Sequence, residues 1–171
     1  MYHRLNRSRS DAGQALVELA LVLPLVLLLL FAIIDFGLAL NDYNGDTNVA
    51  NLAARTASVL GSASTETCSG VSYSTLTAWV DCEAVATGAP TPSVVCVKNL
   101  TTGTASPTAF AVGDSLQVEV GSSFAWFSLL TGGDGYIGSI RPTTTLTAGA
   151  TMRVEQAISS SNAFFPATIC P

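Results

Sequence analysis

Gly13 precedes Gln14, and Glu18 is the fifth residue after Gly13, at the mouth of an apolar run from Leu19 to Ile34 that holds no charge and no polar side chain. A basic stub carrying Arg4, Arg7 and Arg9 comes before it. The order is therefore positive segment, glycine, short spacer, acid, oily helix, and it reads as a membrane-inserted subunit of a surface structure, either processed or left whole. A carboxylate at a membrane edge requires a partner. Cleavage would provide one in the free α-amino group of Gln14, on the same chain or on a neighbouring subunit, and such pairing would set the axial stagger of packed helices. Otherwise Glu18 snorkels to the headgroups. Asp35, the acid at the far end of the run, marks the outer interface, faces a partner helix or is solvated.

The second reactive set is Cys68, Cys82, Cys96 and Cys170, all beyond the apolar run and none in a C-x-x-C pair. Outside the cytoplasm such a set reads as two disulfides, and four cysteines leave three connectivities open. Zinc fits poorly, because the only histidine is His3, before the apolar run, and the cysteine spacings are not those of zinc knuckles. Asp42, Asn44, Asp46 and Asn48 alternate as calcium ligands do, yet the glycine falls at the wrong loop position and Ala53 stands where a closing Glu belongs. They read instead as a solvated helix face. With no histidine in the outer part, neither a Ser-His-Asp nor a Cys-His arrangement can form. No Walker or dinucleotide glycine pattern occurs, so no cofactor is expected. The formal charge is −5, and the basic residues beyond the stub, Arg55, Lys98, Arg141 and Arg153, are scattered, which argues against a nucleic-acid partner.

The element that must position Glu18 and Asp35 is a membrane helix. Thirteen of the sixteen residues from Leu19 to Ile34 are Leu, Val, Ile or Phe, worth about −4 to −8 kcal/mol of insertion free energy. Glu18 and Asp35 would each cost roughly 2.5–3.5 kcal/mol at the bilayer centre and less at the edges where they fall. Ala15 to Leu40, as a helix, is about 39 Å long against a hydrocarbon core of about 30 Å, enough for one tilted span. Pro24 removes one backbone hydrogen bond and kinks the first turns, which membrane helices tolerate. The arginines place the N-terminus in the cytoplasm by the positive-inside rule. A cleaved secretory signal with Gly37-Leu38-Ala39 as its cleavage site is the rival for this segment, although the apolar run exceeds the usual h-region.

Past Leu40 the helix continues to about Leu60, with Tyr43, Thr47, Ala50, Ala54 and Ala57 on a narrow small-residue face. Gly61 to Gly70 reads as a polar connector, Ser74 to Ala86 as a second helix and Gly88 to Pro92 as a break. Ser93 to Lys98 and the alternation at Leu116, Val118 and Val120 read as strands. Phe124 to Leu130 is apolar, and Thr131 to Tyr136 is a glycine-rich turn. In the last strand Leu146, Ala148, Ala150, Met152 and Val154 face one way, while Thr147, Thr151, Arg153 and Glu155 face the other. The fold class is α+β: a long N-terminal transmembrane helix continuing into a small extracytoplasmic domain with a mainly antiparallel sheet. The divisions are a leader at 1–13, a span at 14–40, a helical extension at 41–60 and the outer domain at 61–171.

The stretch Gly13-Gln-Ala-Leu-Val-Glu-Leu-Ala-Leu-Val-Leu-Pro-Leu, with Ile34-Asp35-Phe36-Gly37, resembles the TadE-like family of tight-adherence (Flp-type) pilus assembly proteins. Ala53-Ala54-Arg55 and Thr151-Met152-Arg153-Val154-Glu155 extend the likeness. Processed members with the strongest motif often have Tyr directly after the Glu, where this chain has Leu19. The resemblance implies a non-enzymatic pseudopilin or membrane accessory in the bacterial inner membrane. Its partners would be a prepilin peptidase and other pilus or pilin subunits, with Gly13 before the cut, Gln14 as the new terminus and Glu18 as the acid at position five. Cleavage would remove three arginines and one aspartate, taking the formal charge from −5 to −7. The alternative is a membrane-anchored extracytoplasmic binding module with an unprocessed anchor.

Overall fold

The structure, a computed structural model, describes residues 7–60, 65–105, 109–126, 143–159, 162 and 164, with side chains from Gly13 onward. Helix α1 runs unbroken from Arg7 to Val59 with Pro24 inside it. The chain divides into two compact units, and the boundary within α1 lies between Leu38 and Ala39.

In the first unit, α1 carries its apolar side chains outward. Leu21, Leu25 and Leu28 are 74%, 71% and 66% exposed. Its best 18-residue window has a mean hydropathy of 3.0 and none of it is buried. Water cannot solvate such a surface cheaply, whereas a bilayer can, and a helix satisfies its own backbone there. Beyond Leu40 the polar run from Asn41 to Asn48 ends the apolar character.

In the second unit, a hairpin of β1 (Glu66–Cys68) and β2 (Val71–Tyr73) leads into α2 (Leu76–Thr87). A four-stranded sheet follows, built from β3 (Val94–Asn99), β4 (Thr104–Ala105), β5 (Ser115–Ala125) and β6 (Thr143–Arg153) in the order β4-β3-β5-β6, antiparallel throughout. The α+β expectation holds. Strand β3 falls on the Val-rich run at 93–98; β5 holds the alternation at 116–120 but continues to Ala125, taking in Phe124, and β6 holds the alternation from Leu146 but starts earlier, at Thr143. Ala148, Ala150 and Val154 are buried while Thr147, Gly149, Thr151 and Arg153 are exposed, as the alternation of the last strand requires.

Helix α2 shows why local sequence sets element ends. Thr75, extended at φ −135°, accepts a 3.3 Å hydrogen bond from the Ala78 N–H, and Gly88, left-handed at φ 73°, closes the other end. Its buried Leu76, Trp79, Val80 and Ala84 lie on one helical stripe.

Three expectations are corrected. Residues 66–68 are not connector but strand, paired Cys68↔Val71 through Ser69 and Gly70, both at positive φ as a type I′ hairpin turn demands. The packing face of α1 is Asp46, Val49, Ala50, Ala53, Ala54 and Ala57, all 0–1% exposed, whereas Tyr43 is 44% exposed. Adding three and four residues from Asp46 reaches 49, 50, 53, 54 and 57, so the stripe is rotated away from Tyr43. Asp46 therefore leaves the solvated set of Asp42, Asn44 and Asn48. The segments Phe127 to Leu130 and Thr131 to Tyr136 lie outside the described residues.

The buried alanines of α1 join Val95, Val97, Leu116, Val118, Val120 and Ala150 in one core, with the α2 stripe on the same cluster. Small side chains permit close approach. At Gly45 an added Cβ would stand 3.1 Å from the Ala89 Cβ and 3.3 Å from the Pro90 Cδ, so the absent side chain is what lets the α2–β3 loop reach the helix. The backbone N–H of Glu155 donates to the Ser58 carbonyl at 3.0 Å, tying the end of the sheet to the last turn of α1.

Candidate functional site: the amino-terminal motif and the helix that carries it

Gly13, Gln14 and Glu18 lie on one continuous helix. The Gln14 Nε2 donates to the Glu18 Oε1 at 3.3 Å, an exposed pair one helical turn apart. Both groups are open to a partner. The peptide between Gly13 and Gln14 lies within helical backbone.

Asp35 is not solvated, being only 5% exposed. Glu18 and Asp35 are thus unlike acids, one open at the start of the span and one enclosed near its end.

A third acid matters that sequence reasoning set among the solvated ones. Asp46 is 1% exposed, and its Oδ2 accepts a 2.6 Å hydrogen bond from the Ser122 hydroxyl on β5 while its Oδ1 has no hydrogen-bond partner. Burial raises its pKa above the ordinary carboxyl value; the Ser122 hydrogen bonds oppose this, and nearby Asp42 adds to it. The available signal was its place three residues before Val49, on the buried stripe.

Of the cysteines, Cys68 and Cys82 form a disulfide joining the hairpin to α2. The Trp79 Nε1, one turn before Cys82, donates to the Thr67 carbonyl at 3.2 Å. Cys96 is also disulfide-bonded, and Cys170 lies outside the described residues. Beside Cys82 a shallow groove is lined by Ser69, Tyr73, Ala78, Asp81 and Val85. Partial burial raises the Asp81 pKa there.

Elsewhere charge is used internally. Lys98 meets both carboxylate oxygens of Glu119 at 2.9 Å. The buried Asn99 donates to Asp114 at 2.8 Å and accepts from the Thr101 and Thr102 N–H groups. Among the described residues no group of three or more His, Cys, Asp or Glu side chains could hold a metal ion.

The motif, the exposed apolar helix and its small-residue continuation occupy one stretch, and that stretch, residues 13–55, matches the family model of TadE-like protein. Residues 13–55 are similar to the TadE-like family. Nothing among curated proteins or solved structures matches the chain. The TadE-like match takes in Gly13, Glu18, Asp35, the buried Asp46 and Ala53-Ala54-Arg55, and it ends before the hairpin. That family is associated in general terms with assembly of the Tad pilus, a generally non-enzymatic role involving membrane and pilus components, and the likeness here is confined to residues 13–55. Among the described residues one N-terminal helix is long and apolar enough to cross a membrane, and together with the family likeness it suggests a single-pass membrane protein.

Proposed function

We propose that this chain is a non-enzymatic pseudopilin or membrane accessory of the Tad pilus, inserted with its N-terminus in the cytoplasm and its sheet domain outside. The observation that carries the reading is the TadE-like match at residues 13–55, which begins at Gly13 and contains an exposed Glu18 on an outward-facing apolar helix. In this reading a prepilin peptidase cuts between Gly13 and Gln14, and Glu18 takes the new amino group of Gln14 as its counter-charge. The pair, drawn from water toward low dielectric, is stronger than it would be in solution.

Mass spectrometry of the N-terminus, on protein purified from its own membranes, tests processing. A first peptide starting at Gln14 supports the pseudopilin reading, and an intact stub leaves a permanent accessory. The pilus role is tested by Glu18→Ala, for which the expected outcome is loss of pili at unchanged protein level. Normal piliation would instead favour the anchored binding module.

A further inference from the structure

The sheet ends on one side in β4, two residues long, and on the other in β6, eleven residues long. A long open edge offers unpaired backbone donors and acceptors, and proteins ordinarily blunt it with charge, proline, a bulge or a cover. Strand β6 has none of the first three between Thr143 and Met152, and its register with β5 is continuous from Thr143↔Ala125 to Arg153↔Ser115. Among the described residues no strand pairs with its outer side.

The direction of each backbone group follows from the ladder. The Ser93 N–H donates to the Gly121 carbonyl and the Leu100 N–H to the Ser115 carbonyl, so the odd-numbered residues of β5 address the β3 side. Its even-numbered residues then address β6, where they face Leu146, Ala148, Ala150 and Met152. The N–H and C=O groups of Thr145, Thr147, Gly149 and Thr151 point away from the sheet, and those residues are exposed.

We propose that the outer edge of β6 pairs antiparallel with β6 of a second copy of this chain, joining two four-stranded sheets into one. The strand is self-complementary in that direction. A two-fold axis beside Ala148 sets Thr145 against Thr151, Thr147 against Gly149, and Arg153, the one charge on the strand, against neutral Thr143. Parallel pairing in register would stack Arg153 on Arg153. The two-residue β4 cannot serve as the counter-strand, and a row of threonines offers neither charge nor apolar pocket to select a foreign sequence. One strand pair is marginal in water, but confining anchored copies to a membrane raises their effective concentration.

The test uses the full chain in membranes with Thr147→Cys and a short bis-maleimide. The expected result is a cross-linked dimer that falls about tenfold or more when Thr151→Pro is added, because proline deletes outward hydrogen bonds. The N–H lost at 151 makes no bond to β5, so the thermal midpoint should stay close to that of the parent. Val85→Cys, 72% exposed on α2, should yield little dimer. The proposal is overturned by absence of a dimer from Thr147→Cys, by a dimer indifferent to Thr151→Pro, by an equal yield from Val85→Cys, or by cross-linking mainly to a different protein.

Discussion

Asp46 on α1 and Ser122 on β5 are 76 residues apart in the chain and joined by a 2.6 Å hydrogen bond, both side chains 1% exposed. The bond ties the helix leaving the membrane span to the middle of the sheet. It is also costly whenever the carboxyl is ionised, because a charged group with one unpartnered oxygen is then held away from water.

A pH dependence follows. The folded chain holds the Asp46 proton more tightly than the unfolded chain, whose carboxyl has the ordinary value of 3.8. The stability from this group is therefore complete below about pH 4 and is lost as pH rises through the folded value. In urea titrations from about pH 4 to 7, Asp46→Asn should gain on the parent as pH rises, and parallel curves would refute the assignment. Asp81, also raised, contributes to both proteins and cancels in the comparison. Ser122→Ala strips Asp46 of its hydroxyl donor and should cost about 1–3 kcal/mol.

The Cys68–Cys82 bridge closes a 14-residue separation. Replacing both cysteines with serine should lower stability by about 3 kcal/mol on the loop-entropy account. Equilibrium unfolding under non-reducing conditions measures it. Trp79 reports the region, since loss of its bond to the Thr67 carbonyl should red-shift the emission. A double variant as stable as the parent would show that β1, β2 and α2 hold together without the bridge.

The buried face of α1 should reject size. Ala53→Leu, at a site with no exposure, and Gly45→Leu, whose first carbon already meets Ala89 at 3.1 Å, should each destabilise by about 1–3 kcal/mol. Asn48→Leu on the exposed side should change stability by about 0.5 kcal/mol or less. Thermal unfolding of the three variants decides whether small residues are required by packing or merely tolerated.

Much of this was legible in the chain because it rests on patterns local in sequence. The period of two in Leu146–Val154 dictates a half-buried strand. The uncharged run from Leu19 to Ile34 dictates a helix suited to lipid, and the order Gly13, Gln14, Glu18 at its mouth needs only chain proximity. Thr75 and Gly88 end α2 through their own backbone preferences. The Ser69-Gly70 turn was equally local, but β1 and β2 are three residues each, too short for alternation to declare them.

What tertiary structure alone decided is which neighbours distant residues acquire. The burial of Asp46 depends on Ser122 arriving from β5, and the choice of Cys82 as partner for Cys68 depends on α2 folding back beside the hairpin. The stripe on α1 is likewise set by where the sheet presses, which rotates the buried face from Tyr43 to Asp46 and Ala53. The position of β6 at the end of the sheet, with no strand on its outer side among the described residues, belongs to the same class, since strand order, unlike strand identity, is fixed only when hydrogen bonds form between segments far apart in the chain. By itself the sequence determined the long apolar helix, the order of residues at its start and the α+β class, because these follow from composition and period. Pairing, register and partner choice had to wait for the folded chain, because contact energies between remote residues are not written in any one segment.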